Sequence, residues 1–238
     1  MCAKAVALAA RPEGLPKTSD FQIVNIESND PADGEIQVNN ICMSVDPYMR
    51  GRMVDRKSYV PAFQIGEPLT GGAIGKVTKS AHPDFKEGDF VSSHWGWRDG
   101  FTARAEGIER LGEIVAPASE YLGAIGMPGM TAYAGLLEVG ALKDGETVFV
   151  SGAAGAVGSI VGQIAKLKNC HVIGSAGNDE KVELLTKELG FDSAFNYNDG
   201  NLLGHLRELA PEGIDVYFDN VGAEHLEAAL MCMRPFGR

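Results

Sequence analysis

Residues 147–158 read Thr147-Val148-Phe149-Val150-Ser151-Gly152-Ala153-Ala154-Gly155-Ala156-Val157-Gly158, and no other stretch constrains the fold as strongly. A β-branched run passes into a turn made of glycine and alanine. Val157, Ile160, Val161, Ile164 and Leu167 then recur at the three- and four-residue spacing of a helix. Small residues let a backbone approach a pyrophosphate, and a helix N-terminus offers it unpaired N–H groups and partial positive charge. The general fingerprint is GxGxxG; here Ala153 replaces its first glycine, giving AxGxxG. A tight strand-to-helix turn without a ligand is the competing reading.

The residues that follow favour the dinucleotide. His171-Val172-Ile173-Gly174-Ser175 reads as a second strand and completes a βαβ unit of about 30 residues. An NAD-binding unit usually places Asp or Glu at the end of this strand to accept from the ribose 2′-hydroxyl. Ser175-Ala176-Gly177-Asn178 stands there instead. Asn178 reads as the N-cap of the next helix, with Asp179 and Glu180 in its first turn. Lys181 shares that turn, where a cation opposes the helix dipole. A 2′-phosphate beside Lys181 accounts for the misfit and points to NADP(H) over NAD(H); a solvated surface lysine is the alternative.

The α/β rhythm continues. A helix from Lys181 to Leu189 stops at Gly190, a strand spans Ser193 to Tyr197, a helix Leu202 to Ala210, and a strand Ile214 to Asp219. This alternation predicts a parallel, doubly wound sheet with ligands outside the carboxyl ends of its strands. Ser175, Tyr197 and Asn220 fall at such ends, although Tyr197 capping the core and Asn220 making only a turn fit equally well. Glu224 to Met233 reads as a further helix, and Pro235-Phe236-Gly237-Arg238 as a turn into a fifth strand. Doubly wound dinucleotide folds normally have six strands, so this sheet is expected to be truncated at its C-terminal end. By the same reasoning, residues 1–238 alone are expected to be poorly stable, to bind NADPH weakly and to turn over little.

The first half has another texture. Short runs at Phe21 to Glu27, Glu35 to Asp46, Thr70 to Thr78, Asp89 to His94 and Phe101 to Ala105 are separated by Pro, Gly, Asn and Asp. They predict a small, mostly β, barrel-like domain. Composition shifts near Pro117, where a helix containing Met130 to Val139 is expected. The expected domains are therefore residues 1–117 and 118–238.

These segments together resemble a zinc-free medium-chain dehydrogenase/reductase of the prostaglandin reductase and alkenal double-bond reductase group. The resemblance is carried by Ser44-Val45-Asp46-Pro47-Tyr48-Met49-Arg50, Gly126-Met127-Pro128-Gly129-Met130-Thr131-Ala132-Tyr133, the Ala153 to Gly158 turn, Phe195-Asn196-Tyr197 and Tyr217-Phe218-Asp219-Asn220-Val221-Gly222. It implies a GroES-like β domain followed by a Rossmann domain. It further implies NADPH-dependent reduction of the carbon–carbon double bond of enones and enals, a quinone reductase and a non-catalytic NADP(H)-binding module being the alternatives. By position, Gly155, Ala156, Val157 and Gly158 would hold the pyrophosphate, and Gly177, Lys181 and Tyr197 the 2′-phosphate. Asn220 would approach the ribose or nicotinamide side, Met127 and Thr131 would pack along the nicotinamide, and Tyr48 would line the substrate cleft as hydroxyl donor or as wall. The family also implies a homodimer.

Composition narrows the field. Of 238 residues 45% are hydrophobic, enough for two small cores. Asp plus Glu number 32 against 21 Lys plus Arg, and a net charge of −11 disfavours nucleic acid and anionic membrane surfaces. The start has too short an apolar core for a signal peptide, so a cytoplasmic location is expected. Cys2, Cys42, Cys170 and Cys232 form no CxxC pair, and the five histidines show no ligand spacing. Zinc-dependent relatives carry Gly-His-Glu where this chain has Gly71-Gly72-Ala73-Ile74-Gly75, so no metal is expected.

Overall fold

The computed structural model describes residues 2–58 and 60–238, and the chain divides into two units, Met1–Leu122 and Gly123–Arg238. In the first, β1 (Cys2–Leu8) pairs antiparallel with β2 (Phe21–Glu27). A five-stranded antiparallel sheet follows, made of β3 (Glu35–Met43), β4 (Ala73–Ser80), β5 (Phe90–Ser93), β6 (Gly100–Arg104) and β7 (Glu109–Gly112). Its spatial order is β6-β3-β4-β5-β7. Ile36, Val38, Val77, Val91 and Phe101 form one core, and Leu8, Met49, Phe63 and Leu69 a second.

In this unit two expected strands differ from their expected limits by more than one residue at an end, the others by at most one. The run expected to reach Asp46 ends at Met43, because Ser44 N–H turns to Gly72 O at 2.9 Å and Ser44 Oγ donates to Asp46 Oδ2 at 2.6 Å. Pro47 beyond it has no N–H for a ladder and precedes the short helix α1 (Tyr48–Arg52). The run expected from Thr70 begins at Ala73. Neither β1 nor β7 was among the expected strands.

The second unit is the α/β half. Its elements are α2 (Met127–Tyr133), β8 (Thr147–Val150), α3 (Gly158–Leu167), β9 (His171–Ala176), α4 (Asp179–Lys187), β10 (Ser193–Asn196), α5 (Leu202–Leu209), β11 (Val216–Phe218) and α6 (Glu224–Cys232). The four strands are parallel in the order β10-β9-β8-β11, as expected for a doubly wound sheet. Alternation along β8 separates two cores. Val148 and Val150 join Val161 and Ala165 of α3 on one face. Phe149 packs with Ile173, Phe195, Leu206 and Ala229 on the other. Phe149 also stacks on Phe195 and Tyr217, with ring centroids 6.1 and 5.2 Å away.

The helix expected around Met130 starts earlier, at Met127, since Pro128 suits a first turn. It then widens into a π-helical turn, Ala134–Val139, closed by Gly140 N–H on Gly135 O. The last expected strand contracts to Val216–Phe218. Beyond the Pro235–Gly237 turn, Arg238 N–H donates to Asp215 O and Arg238 O accepts from Tyr217 N–H, alongside β11.

Close packing of α3 generates a stability prediction. A Cβ on Gly162 would lie 2.0 Å from the Phe191 ring, and that ring is itself buried. Gly162→Ala gains about 1 kcal/mol of helix propensity against an overpacking cost of about 1–3 kcal/mol. The immobile ring places the cost at its upper end. Denaturant unfolding is expected to show a net loss of about 1–2 kcal/mol.

Candidate functional site

The glycine turn is held from three sides. Ala153 N–H donates to Ser175 O at the end of β9, and Gly155 N–H closes on Gly152 O. Gly152 takes φ 56°, where a side chain is strained. A Cβ on Gly158 would lie 2.6 Å from Gly152 O and 2.8 Å from Ala153 Cα, so α3 can begin against the turn only with glycine there. Ala153, the departure from the fingerprint, is fully buried, and its methyl occupies space left by Gly174 of β9. The N–H groups of Ala156, Val157 and Gly158 find no acceptor among the described residues. They open at the head of a ten-residue helix, where an anion would meet them.

On the β9 side of the turn, Asn178 Oδ1 accepts from Lys181 N–H at 2.9 Å, the expected N-cap. Asp179 is engaged by Asn196 Nδ2 at 2.9 Å, while the Lys181 ammonium is exposed and pairs with no carboxylate among the described residues. The Tyr197 hydroxyl stands 2.8 Å from where a Cβ of Gly177 would be, so Gly177 is what admits the ring over this loop. Gly177 and Tyr197 thus meet at the end of β9, one loop before the helix turn that carries Lys181. Ser175 Oγ, near the end of β9, is fully buried and has no hydrogen-bond partner among the described residues.

On the other side of β8 lies a network whose members Ser151, Tyr217 and Asp219 stand in motifs of the sequence but were given no role there. Asp219 Oδ1 accepts from Tyr217 OH at 2.6 Å, Ser151 Oγ at 3.1 Å, Val221 N–H at 3.0 Å and Gly222 N–H at 2.7 Å. Asn220 N–H donates to Ser151 Oγ, and Asn220 Nδ2 to Ser151 O, both at 2.9 Å. Burial pushes the Asp219 carboxyl up, but these donors together hold it below the usual carboxylate range. Burial, with the bond to Asp219, pushes the Tyr217 phenol well above its ordinary value, so it remains a donor.

His225 is another residue that the sequence did not mark. It is 6% exposed, lies over Phe149, and meets Tyr197 edge-on at 5.0 Å. Its Nε2 has no hydrogen-bond partner among the described residues. Burial pushes the imidazole below its ordinary 6.5, against the charges of Asp219 and Glu224.

Gly155 to Gly158, Gly177, Lys181, Tyr197 and Asn220 therefore share the carboxyl end of one parallel sheet. Met127 and Thr131 are exposed on α2, which packs against α3. Tyr48 belongs to the first unit, at the start of α1, on the wall of a cavity of about 500 Å³ lined also by Arg50, Arg52 and Arg56. Arg52 is spent on Thr70 Oγ1, Pro61 O and the Phe63 ring. No group of three His, Cys, Asp or Glu among the described residues could hold a metal ion.

Residues 4–111 match the family described as the N-terminal domain of oxidoreductase, and residues 156–238 the family described as zinc-binding dehydrogenase. The chain is 46% identical over 234 residues to a putative NADP-dependent oxidoreductase of Bacillus subtilis, covering 98% of this chain and 69% of that one. It is 45% identical over 243 residues to an NADP-dependent 2-alkenal reductase of Nicotiana tabacum, covering 99% and 70%. Among solved structures, CurA from Vibrio vulnificus in complex with NADPH superposes with a TM-score of 0.92 at 40% identity, covering 98% of this chain and 69% of that one.

The buried imidazole gives a pH prediction. The unfolded chain takes a proton on His225 near its ordinary 6.5, and the folded chain resists it. This contribution is therefore complete above that pH and is lost as pH falls through the folded value. His225→Leu is expected to flatten the decline in stability between pH 7 and 5, by at most about 1.4 kcal/mol per pH unit. Denaturant midpoints of both proteins across that range test it; parallel curves would refute it.

Proposed function

The chain belongs to the medium-chain dehydrogenase/reductase superfamily, in its zinc-free branch of alkenal and prostaglandin reductases, and we propose that it uses NADPH to reduce the carbon–carbon double bond of α,β-unsaturated ketones and aldehydes. The observation that carries the cofactor half is the phosphate corner. Three N–H groups at the head of α3 have no acceptor among the described residues, Ser175-Ala176-Gly177-Asn178 stands where an NAD site would place a carboxylate, and the Lys181 ammonium in the next helical turn pairs with no carboxylate among the described residues. The reduction half is supported by the named activities of the relatives.

Bound NADPH supplies the hydride that adds to the β-carbon of the enone. The chain positions and stabilises. Gly155, Ala156, Val157 and Gly158 would hold the pyrophosphate, and Gly177, Lys181 and Tyr197 the 2′-phosphate. Asn220 would approach the ribose or nicotinamide side, with Met127 and Thr131 packing along the nicotinamide. As hydride arrives, negative charge builds on the carbonyl oxygen. A hydroxyl donor there contributes about 3 kcal/mol, judged from oxyanion holes. Tyr48 is the protein's candidate for that donor, and the ribose hydroxyl is the other. In this reading water is the proton source for the α-carbon. A cytoplasmic homodimer completes this reading, which rests there on composition and on family resemblance; no helix among the described residues is long and apolar enough to cross a membrane.

Steady-state assays of the full-length protein with an enal and with a quinone test the reaction. Turnover of the enal, unchanged by chelator, is expected; NADPH binding without substrate-dependent oxidation would leave only a binding module. The cofactor reading has its own test. NADPH is expected to bind more tightly than NADH, and Lys181→Ala to narrow the gap by about 1–2 kcal/mol for one charge-assisted contact. Titration of both cofactors against both proteins measures it, and equal affinities in the unmodified protein would remove the argument.

A further inference from the structure

We propose that Asp219, together with Tyr217 and Ser151, is a positioning residue that aims Asn220 at the nicotinamide half of the cofactor; this rests on the NADP(H) reading above. Topology gives the direction. The 2′-phosphate corner lies at the ends of β9 and β10, and the pyrophosphate cradle at the end of β8. The rest of the dinucleotide then runs to the opposite side of β8, over the end of β11, where Asn220 stands.

Hydrogen-bond counting gives the aim. The Tyr217 hydroxyl has one proton, and the 2.6 Å contact assigns it to Asp219. The Ser151 proton also goes to Asp219 Oδ1, which leaves the Ser151 oxygen to accept from Asn220 N–H. The Asn220 amide is then orientated without ambiguity. The atom 2.9 Å from Ser151 O must be the nitrogen, since a carbonyl oxygen there would face another oxygen. Its Oδ1 accordingly points away from Ser151 and accepts from no donor among the described residues. It is an outward acceptor suited to a ribose hydroxyl or a carboxamide N–H. Asp219 also pins Val221 and Gly222 N–H, and the Val221 side chain with Asn220 Cβ crowds the side of Gly152. One carboxylate oxygen thus ties the Asn220 turn to the glycine turn, yet is not itself required to touch cofactor.

The test compares NADPH with adenosine 2′,5′-bisphosphate, which keeps the 2′-phosphate corner and lacks the nicotinamide half. In the full-length protein, Asp219→Ala is expected to weaken NADPH by at least about tenfold, the scale of lost charge-assisted bonds. Binding of the bisphosphate is expected to stay within about twofold, because that ligand does not reach β11. Tyr217→Phe should give a smaller loss with the same selectivity. Asn220→Leu should weaken NADPH alone, and adding Asp219→Ala to it should cost nothing further, because the carboxylate acts through the amide. Additive losses or no loss would each overturn the proposal, and so would equal losses for both ligands in Asp219→Ala and again in Asp219→Asn. Should Asp219→Ala lose both ligands together, the same comparison on Asp219→Asn decides it by the same criteria. If the unmodified protein binds neither ligand, the cofactor reading itself fails.

Discussion

The approach of α3 to the end of β8 governs the geometry of the second unit. A Cβ on Gly158 would strike the backbone of Gly152 and Ala153, and one on Gly162 would strike the Phe191 ring. With glycine at both places the helix lies tightly on the sheet, and its first N–H groups open beside the strand ends. That proximity sets where an anion would meet them. A side chain at Gly158 would push the start of α3 away from Gly152 and Ala153, the same turn whose Ala153 N–H is bonded to Ser175 O of β9. Packing and anion recognition are therefore one constraint, satisfied by the absence of side chains.

Electrostatics works against this site globally and for it locally. A chain of net charge −11 repels a phosphorylated cofactor at long range. Within the screening length of about 8 Å at physiological salt, local groups decide the outcome. Around the corner those groups are arranged to favour phosphate. Asp179 is occupied by Asn196 Nδ2, Lys181 is unpaired, and the α3 N-terminus contributes partial positive charge. On the far side of β8, Asp219 is ionised close to the pyrophosphate turn, but four donors converge on one of its oxygens. Those donors offset its field where the phosphates would lie.

How legible these features were depends on the range of the interactions that make them. The βαβ rhythm is local, and helices α3 to α6 fall where their apolar spacing puts them. Strand β1 was hidden because its inward residues are Ala3, Ala5 and Ala7, too small to raise an alternating hydrophobic signal. Edge strand β7 has a single large apolar residue, Leu111. The candidate cofactor residues at Gly155 to Gly158 and at Lys181 announce themselves by a motif and a missing carboxylate. The Ser151, Tyr217 and Asp219 network does not. Its partners are 66 to 69 residues apart and meet only through the register of β8 with β11. His225 was invisible for the same reason: a histidine in the first turn of an amphipathic helix reads as solvated until Phe149 and Tyr197 are found above and beside it.

The alanine in the first fingerprint position follows from the same packing. A glycine there normally serves a tight turn, but Ala153 has no positive φ to accommodate. What it needs is volume for one methyl group on the inner side of the turn. Gly174 supplies it: a Cβ built on Gly174 would stand 3.0 Å from the Ala153 methyl, from Leu185 and from Phe191 alike. The Ala153 methyl thus fills the space that Gly174 leaves beside Leu185 and Phe191. Volume-conserving exchanges in a core are tolerated where isolated additions are not. The motif's essential content at this position is therefore a sum over two strands, which no pattern read along a single stretch of sequence can express. The glycines that remain, Gly152, Gly155 and Gly158, are those where the backbone itself either turns into the left-handed region, lies open to a ligand or touches backbone.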